Sequence, residues 1–482
     1  MHFKLSNLFL QKIEQMQLPE GFKIRMQRQL GESFDRFQTA LEKIPPVSIR
    51  INPKKVDPIL FERKQVAWEP LAFYLKERPI FTLDPQFHAG AYYVQEASSM
   101  FVGYLFKQLY TNNSPLKILD LCGAPGGKST QIASLMNDQS FLVANEVIKT
   151  RTVVLTENLI KWGNPNVVVT QNDPKDFQKL PGFFDLIIVD APCSGEGLFR
   201  RDESAMDEWT VDNALICSQR QQRILADVWS ALAPGGYLIY STCTYNPDEN
   251  EKNIAWITEQ FDAESIPISI PDEWGISKIN YQNIEAYQFF PFKIEGEGFF
   301  VSVLQKKGSE MLFKNKSKKK FNTPKKVLED GYTNWLVQPE YFKFIELNQT
   351  IRAIPGPLQP WIELLSEQLR IVHSGVLLAE IKGNKLIPQH DLSMSWFLNK
   401  SKFPLILIDN YEALLYLKKE NVHSSIGTRG FNILMLDKLP LGFVNNLGNR
   451  SNNNYPVNWR IRMNLPVKET FVPQIIFRNQ EI

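Results

Sequence analysis

Between residues 86 and 308 short apolar runs alternate with stretches of helical period, and this alternation constrains the fold more than any other feature. The runs are LKILDL (116–121), SFLVANE (140–146), NVVVTQ (166–171), FFDLIIVDA (183–191) and GYLIYST (236–242). Between them lie GGKSTQIASLM, KTRTVVLTENLIKW and NALICSQRQQRILADVWSAL, whose apolar residues recur every three to four positions. Strands alternating with helices predict an α/β fold built on a doubly wound, Rossmann-like parallel sheet. GEGFFVSVLQKK (296–307) adds one more strand. Such sheets bind ligands beyond the carboxyl ends of their strands.

A chain of 482 residues is too long for one ordinary domain. Residues 1–85 read as an N-terminal domain of helices followed by a strand, with helical spacing in FLQKIEQM (9–16) and FKIRMQRQLGESFDRFQTALEKI (22–44) and alternation in PPVSIRIN (45–52). Residues 86–308 are the core. Residues 309–326 are a lysine-rich linker, in which KNKSKKKFNTPKK holds seven lysines and no acid between Lys314 and Lys326. It reads either as a solvated linker or as a tether facing nucleic acid. Residues 327–404 look mixed, with a turn at IPGP and a helix at PWIELLSEQL. Residues 405–482 carry the β-like runs FNILML, LGFVNN and NWRIRM, which suggest a small β-barrel-like appendage.

No apolar run approaches the roughly 18 residues of a membrane span, and the N-terminal MHFKLSNLFLQKIEQ lacks a small-residue cleavage site. Four cysteines without C-x-x-C spacing point away from a disulfide framework or a zinc site and fit a reducing, cytoplasmic compartment. The net charge of +2 by itself predicts no partner.

LDLCGAPGGKST follows the first strand of the series and opens a helix. Gly123, Gly126 and Gly127 let backbone amides approach a ligand at a helix N-terminus. GGKST nearly completes a phosphate-binding G-x-x-x-x-G-K-[ST], but Cys122 stands where that motif needs its first glycine. A nucleoside cofactor instead needs an acid about 20 residues on for the ribose. Glu146 comes 19 residues after Gly127, and Asp173, after the third strand, suits the base. Two acids after successive strands fit a ribose and adenine better than a triphosphate.

Cys193 in DAPCSGEG and Cys243 in YSTCTYNPDENE each follow an apolar run, so both thiols face one cleft if the runs are neighbouring strands. The residues after Cys243 read as a helix start, with Asn246 as N-cap, Pro247 at the first position and Glu249 as the reciprocal cap. A helix start favours a thiolate. Cys122 and Cys217 read as small core hydrophobes. No histidine lies between residues 89 and 372, which argues against Cys–His chemistry in the core. Methylation of pyrimidine carbon 5 needs a thiolate on carbon 6, a nucleoside cofactor, a second acid/base group and an aspartate on ring nitrogen 3, a place open to Asp190. In GEGLFRRDES, Phe199 reads equally as a base-stacking ring or as core, and Arg200 and Arg201 as phosphate contacts.

DLCGAPGGKST, DAPCSGEG and YSTCTYNPDENE, with FHAGAYYVQEASSM upstream, resemble the Nol/Nop/Sun family of RNA cytosine-5 methyltransferases over roughly residues 40–305. The resemblance implies an N-terminal RNA-binding domain over residues 1–85 and a class I methyltransferase core over 86–308, with Cys243 as nucleophile and Cys193 assisting product release. It implies that Asp190 and Lys128 complete the catalytic group. It places S-adenosylmethionine against Cys122, Gly123, Ala124, Pro125, Gly126, Gly127, Lys128, Glu146, Asp173 and Asp190, with Arg151 nearby. Family loops usually read C-A-A-P-G-G-K, so Gly123 departs from the pattern. The C-terminal LGFVNNLGNRSNNNYPVNWRIRM resembles the tail of the bacterial branch that modifies small-subunit ribosomal RNA and carries a PUA-like module. The expected partner is therefore ribosomal RNA, free or in the assembled subunit, met by a monomer. Transfer RNA is an alternative substrate. A P-loop ATPase acting on RNA and a non-catalytic RNA-binding protein are readings from other classes, and the intact cysteine pair argues against the last.

Overall fold

The structure is a computed structural model that describes residues 17–57, 63–308, 317–324, 331–422, 427–472 and 475. The expected helix at FLQKIEQM and Lys314, Lys316, Lys325 and Lys326 lie outside the described residues.

Five parallel strands form the centre of one large sheet: β1 (Lys117–Asp120), β2 (Phe141–Asn145), β3 (Val167–Thr170), β4 (Phe184–Asp190) and β5 (Leu232–Thr242). Their order is β5-β4-β1-β2-β3. Every residue of β2 and β3 is buried, which is why these runs are continuously apolar instead of alternating. Antiparallel strands extend both edges. Phe299–Lys306, the strand expected from GEGFFVSVLQKK, lies beside β5. The hairpin Ser277–Tyr281 and Ile284–Phe289, which has no clear signal in the sequence, continues from it.

At the other edge, Ile371–Ser374 pairs antiparallel with β3. The 327–404 region is thus anchored in the core sheet and covers an edge that would otherwise expose unpaired backbone groups. Its helix, Gln359–Gln368, falls where PWIELLSEQL predicts it and packs in one apolar cluster with Phe183 and Phe184. Described lysines of the linker follow this helix: Lys320 pairs with Glu363 at 3.0 Å, and Glu367 accepts from Ser317.

Near the N-terminus, the predicted continuous helix is broken into Glu20–Leu30 and Phe34–Leu41 at Gly31, whose φ of 52° ends the first segment. The N-terminal sheet runs Gln65–Val66, Glu69–Leu75, Val47–Ile51, Tyr92–Val94, so it takes its last strand from beyond residue 85. Its Ile49, Ile51 and Phe73 share a core with Tyr416, Leu417 and Leu434 of the C-terminal region.

That region holds a four-stranded sheet of Leu405–Leu407, Gly430–Leu436, Leu439–Asn446 and Ser451–Asn453. NWRIRM is not a strand. Val457–Trp459 form a 3-10 turn, and Ile461 is buried with its N–H donating to Leu417, so this apolar residue docks without entering the sheet. No helix among the described residues is long and apolar enough to cross a membrane.

Candidate active site

The glycine loop joins β1 to the helix α1 (Gly127–Leu135). Gly126 turns the chain with φ 118°, a conformation that a side chain would strain. The loop is held from behind by Arg50 of the N-terminal sheet, which donates to Gly127 O at 3.1 Å, Thr130 Oγ1 at 2.6 Å and Gln95 Oε1 at 3.0 Å. A Cβ at Gly123 would meet Ser129 Oγ at 2.9 Å, so the departure from the family pattern makes room for the Ser129–Asp120 hydrogen bond of 2.6 Å.

A cleft of about 230 Å³ opens above this loop. The loop contributes Cys122, Gly123, Ala124, Pro125, Gly127 and Lys128, and the strand ends contribute Asp120 and Asp190. Tyr93, Gln95 and Glu96, from the upstream YYVQE stretch, close it from the N-terminal side. Asp120 is fully buried, and burial raises its carboxyl to about 6. Glu146, buried after β2, accepts from Ile148 N at 3.0 Å and faces Arg151 Nη1 at 3.2 Å, while Arg151 Nη2 donates to Ala124 O at 2.8 Å. Asp120 Oδ1 is buried without a hydrogen-bond donor, and buried Glu146 Oε2 has no partner but the Arg151 guanidinium. Such oxygens are costly to leave alone and suit ammonium or hydroxyl donors of a nucleoside ligand; they would repel a triphosphate. Asp173 caps the turn Pro174–Lys179 and lies 3.5 Å from Arg223. It is not part of the cleft lining.

The second half of the site rests on strand register. β4 and β5 are parallel neighbours with Asp190 opposite Ser241, so the loops that follow them emerge side by side. Cys193 Sγ and Cys243 Sγ are 3.0 Å apart. Asp190 accepts from Ser241 Oγ at 2.8 Å and is ion-paired with Lys128 Nζ at 2.8 Å. Gly197 N donates to Cys243 O at 2.8 Å, an approach only glycine allows, since a Cβ there would lie 2.5 Å from Gly298 O. Buried Glu196 ties three elements together, accepting from Tyr245 N at 3.1 Å, Trp209 Nε1 at 3.0 Å and Arg25 Nη2 at 2.6 Å.

The helix expected after Cys243 begins later than the sequence suggests. Residues 247–250 form a turn, the helix is Glu251–Gln260, and Asn246 Oδ1 caps only Asp248 N. Glu249 makes no reciprocal cap, because its buried carboxylate takes the N–H and hydroxyl of Ser194 and the amide of Gln221. It pins the Cys193 loop to the Cys243 turn. Burial raises Glu249 to about 7. The Cys193 thiol is pushed well up, first by its hydrogen bond with Cys243 and then by burial. Burial pulls Lys128 down, but Asp190 and Asp120 outweigh it and hold the lysine above its usual range. Burial pushes the Cys122 and Cys217 thiols up, and Cys217 sits in the core face of the helix Val211–Trp229.

Two expected RNA contacts are internal. Phe199 is fully buried with its ring 5.0 Å from that of Phe22, in a cluster with Phe37 and Tyr245. Arg200 is buried against Glu297 at 3.0 Å and donates to Gly296 O at 2.7 Å. Arg201 remains exposed and lines the cleft. Sequence reasoning missed Asp120, whose only signal is its place at a strand end before the glycine loop, and Arg50, which carries no motif. Among the described residues no cluster of three or more His, Cys, Asp or Glu side chains could hold a metal ion.

Residues 108–305 match the family described as 16S rRNA methyltransferase RsmB/F, residues 18–97 the N-terminal domain of 16S rRNA methyltransferase RsmF, and residues 403–461 the methyltransferase RsmF PUA domain. Ribosomal RNA small subunit methyltransferase F of Enterobacter sp. (strain 638) is 30% identical over 464 residues, covering 91% of this chain and 95% of the relative. The solved structure of a methyltransferase homolog protein from Pyrococcus horikoshii is 30% identical with a TM-score of 0.52, covering 62% of this chain and 98% of that one. NSun6 from Pyrococcus horikoshii, solved with SFG, shares the fold at 18% identity and a TM-score of 0.51 over 60% of this chain and 99% of its own.

Proposed function

Because the chain belongs to the small-subunit ribosomal RNA branch of the Nol/Nop/Sun methyltransferases, that of ribosomal RNA small subunit methyltransferase F, we propose that it methylates carbon 5 of a cytosine in that RNA through a covalent adduct of Cys243. The observation that carries this reading is the pair of thiols 3.0 Å apart beside the Lys128–Asp190 ion pair.

The cofactor is S-adenosylmethionine, which when bound supplies an electrophilic methyl group on a sulfonium centre. The loop 122–128 and the unpartnered oxygen of Asp120 are assigned to hold it, with the Glu146 carboxylate, oriented by Arg151, assigned to the ribose; Asp173, outside the cleft lining and paired with Arg223, is given no part. Cytosine carbon 5 is too weak a nucleophile to take the methyl unaided. Addition of the Cys243 sulfur to carbon 6 forms an S–C bond and pushes an electron pair toward carbon 5 and ring nitrogen 3. Asp190, fixed by Lys128 and Ser241, is assigned to hydrogen-bond nitrogen 3. Once carbon 5 carries the methyl, its proton passes to water, the electron pair left behind restores the 5,6 double bond, and the Cys243 sulfur departs as the thiolate. Cys193, which holds its proton and neighbours the departing sulfur, is assigned to this release.

The glycine loop, the Lys128–Asp190 pair and both thiols come from one chain, in keeping with a monomer, and a ribosomal RNA substrate is in keeping with a cytoplasmic enzyme. Bisulfite sequencing of small-subunit ribosomal RNA tests the reading. One cytosine should lose protection in a deletion strain and regain it with the wild-type gene but not with Cys243→Ala. An identical map in all strains rejects it. Repeating the assay in vitro on free RNA and on assembled subunits decides which is the substrate.

A further inference from the structure

A second cleft, of about 590 Å³, lies between the N-terminal sheet region and the C-terminal segment. One wall carries Arg63, Lys76, Glu77 and Arg78, and the other carries Pro466, Phe471 and Val472. Arg78 also lines the catalytic cleft, so the two are joined at this residue. We propose that substrate RNA leaves the catalytic cleft across Arg78 and continues through this second cleft, where Arg63, Lys76 and Arg78 hold the phosphates flanking the target cytosine. The proposal rests on the reading of RNA as the substrate.

The charge balance favours a polyanion. Of the two acids in the second cleft, Asp84 is turned inward, accepting from Tyr92 OH at 2.6 Å and Gln86 N at 2.9 Å, which leaves Glu77 against three cations. At the catalytic mouth Glu96 is occupied by the N–H groups of Ser98, Ser99 and Glu297, whereas Arg201 is exposed. Among the described residues none of Arg63, Lys76, Arg78 and Arg201 is in an ion pair. The guanidinium of Arg78 lies 5.5 Å from the Phe81 ring centre, which steadies it where the clefts meet. The apolar wall of Phe471 and Val472 offers bases a surface opposite the cations, the combination that holds single strands without reading their sequence. A target base has to reach the thiols behind the Lys128–Asp190 pair that lines the first cleft, its neighbours need a path out, and this is the basic one.

Arg63 and Lys76 line only the second cleft, so the double variant Arg63→Gln/Lys76→Gln separates RNA tracking from cofactor binding. With a single-stranded RNA of about 20 nucleotides, two lost contacts should lower affinity about 15-fold at 0.15 M salt and flatten the log–log salt slope by about 1.4. An RNA of about four nucleotides, too short to reach the second cleft, should bind as before, as should S-adenosylmethionine. The charge-preserving Arg63→Lys/Lys76→Arg should restore the long-RNA affinity. Unchanged binding of the long RNA overturns the track, and continued formation of 5-methylcytosine would leave the assigned chemistry standing. The track holds without that chemistry if affinity falls as expected and the wild-type enzyme forms no 5-methylcytosine.

Discussion

Lys128 Nζ lies 2.8 Å from Asp190 Oδ2, an ion pair that joins the first turn of the glycine-loop helix to the strand leading into the Cys193 loop. The pair, with the Ser241 hydroxyl at 2.8 Å, fixes the direction of the Asp190 carboxylate. Asp190→Asn keeps the shape and removes the charge, so kcat should fall by about 10²–10³-fold, the range for losing one preorganised electrostatic group. The stability cost should stay at about 1 kcal/mol or less, since Asp190 is 35% exposed and water screens the pair. Steady-state kinetics with kcat within two-fold of wild type would remove Asp190 from the chemistry.

Glu146 holds a buried carboxylate whose Oε2 has no partner but the Arg151 guanidinium at 3.2 Å. Its replacement by alanine should weaken S-adenosylmethionine binding by about 1–3 kcal/mol, the range for charge-assisted hydrogen bonds. Calorimetry giving unchanged affinity would show that Glu146 serves only to hold Arg151 and the loop.

Glu249 makes the loop junction pH-dependent. Its carboxyl rises from 4.5 in the unfolded chain to about 7 when buried, so the folded protein binds this proton more tightly than the unfolded one. The resulting stabilisation is full below pH 4.5 and is lost as pH rises through 7. A shift of this size is worth about 3 kcal/mol. Glu249→Gln mimics the protonated form, so the wild type should lose stability relative to the variant by up to that amount on going from acid to neutral pH. Urea midpoints whose difference stays constant across this range would mean that the fold does not raise the Glu249 carboxyl.

The parallel strands and their order along the chain were legible because each follows from local pattern, a continuous apolar run between stretches of helical period, whereas the two cysteine loops meet only because their strands pair. The role of Glu249 was not legible, because Asn246, Pro247 and Glu249 form a good local cap and only the folded Ser194 loop supplies the donors that outcompete it. The strand Ile371–Ser374 was hidden for a similar reason, since its partner β3 lies two hundred residues upstream. Nothing local in GEGLFRRDES separates inward Arg200 from outward Arg201. Their difference comes from Glu297, nearly a hundred positions away.

That difference gives a further prediction. Phe199→Ala should cost about 3–5 kcal/mol, as for any large buried aromatic, whereas Arg201→Ala should change stability by less than about 0.5 kcal/mol. Arg201→Ala should instead raise the Michaelis constant for RNA and leave that for the cofactor unchanged. Equal effects on both constants would make the segment structural throughout.

The central claim is that the two thiols, though 3.0 Å apart, have unequal tasks. The most direct test is a denaturing gel of protein incubated with S-adenosylmethionine and small-subunit ribosomal RNA. Cys193→Ala should form a slow-migrating band that resists detergent and disappears with ribonuclease, because attack proceeds and release does not. Cys243→Ala and the double variant should form none. An adduct in Cys243→Ala alone would make Cys193 the nucleophile and contradict the assignment.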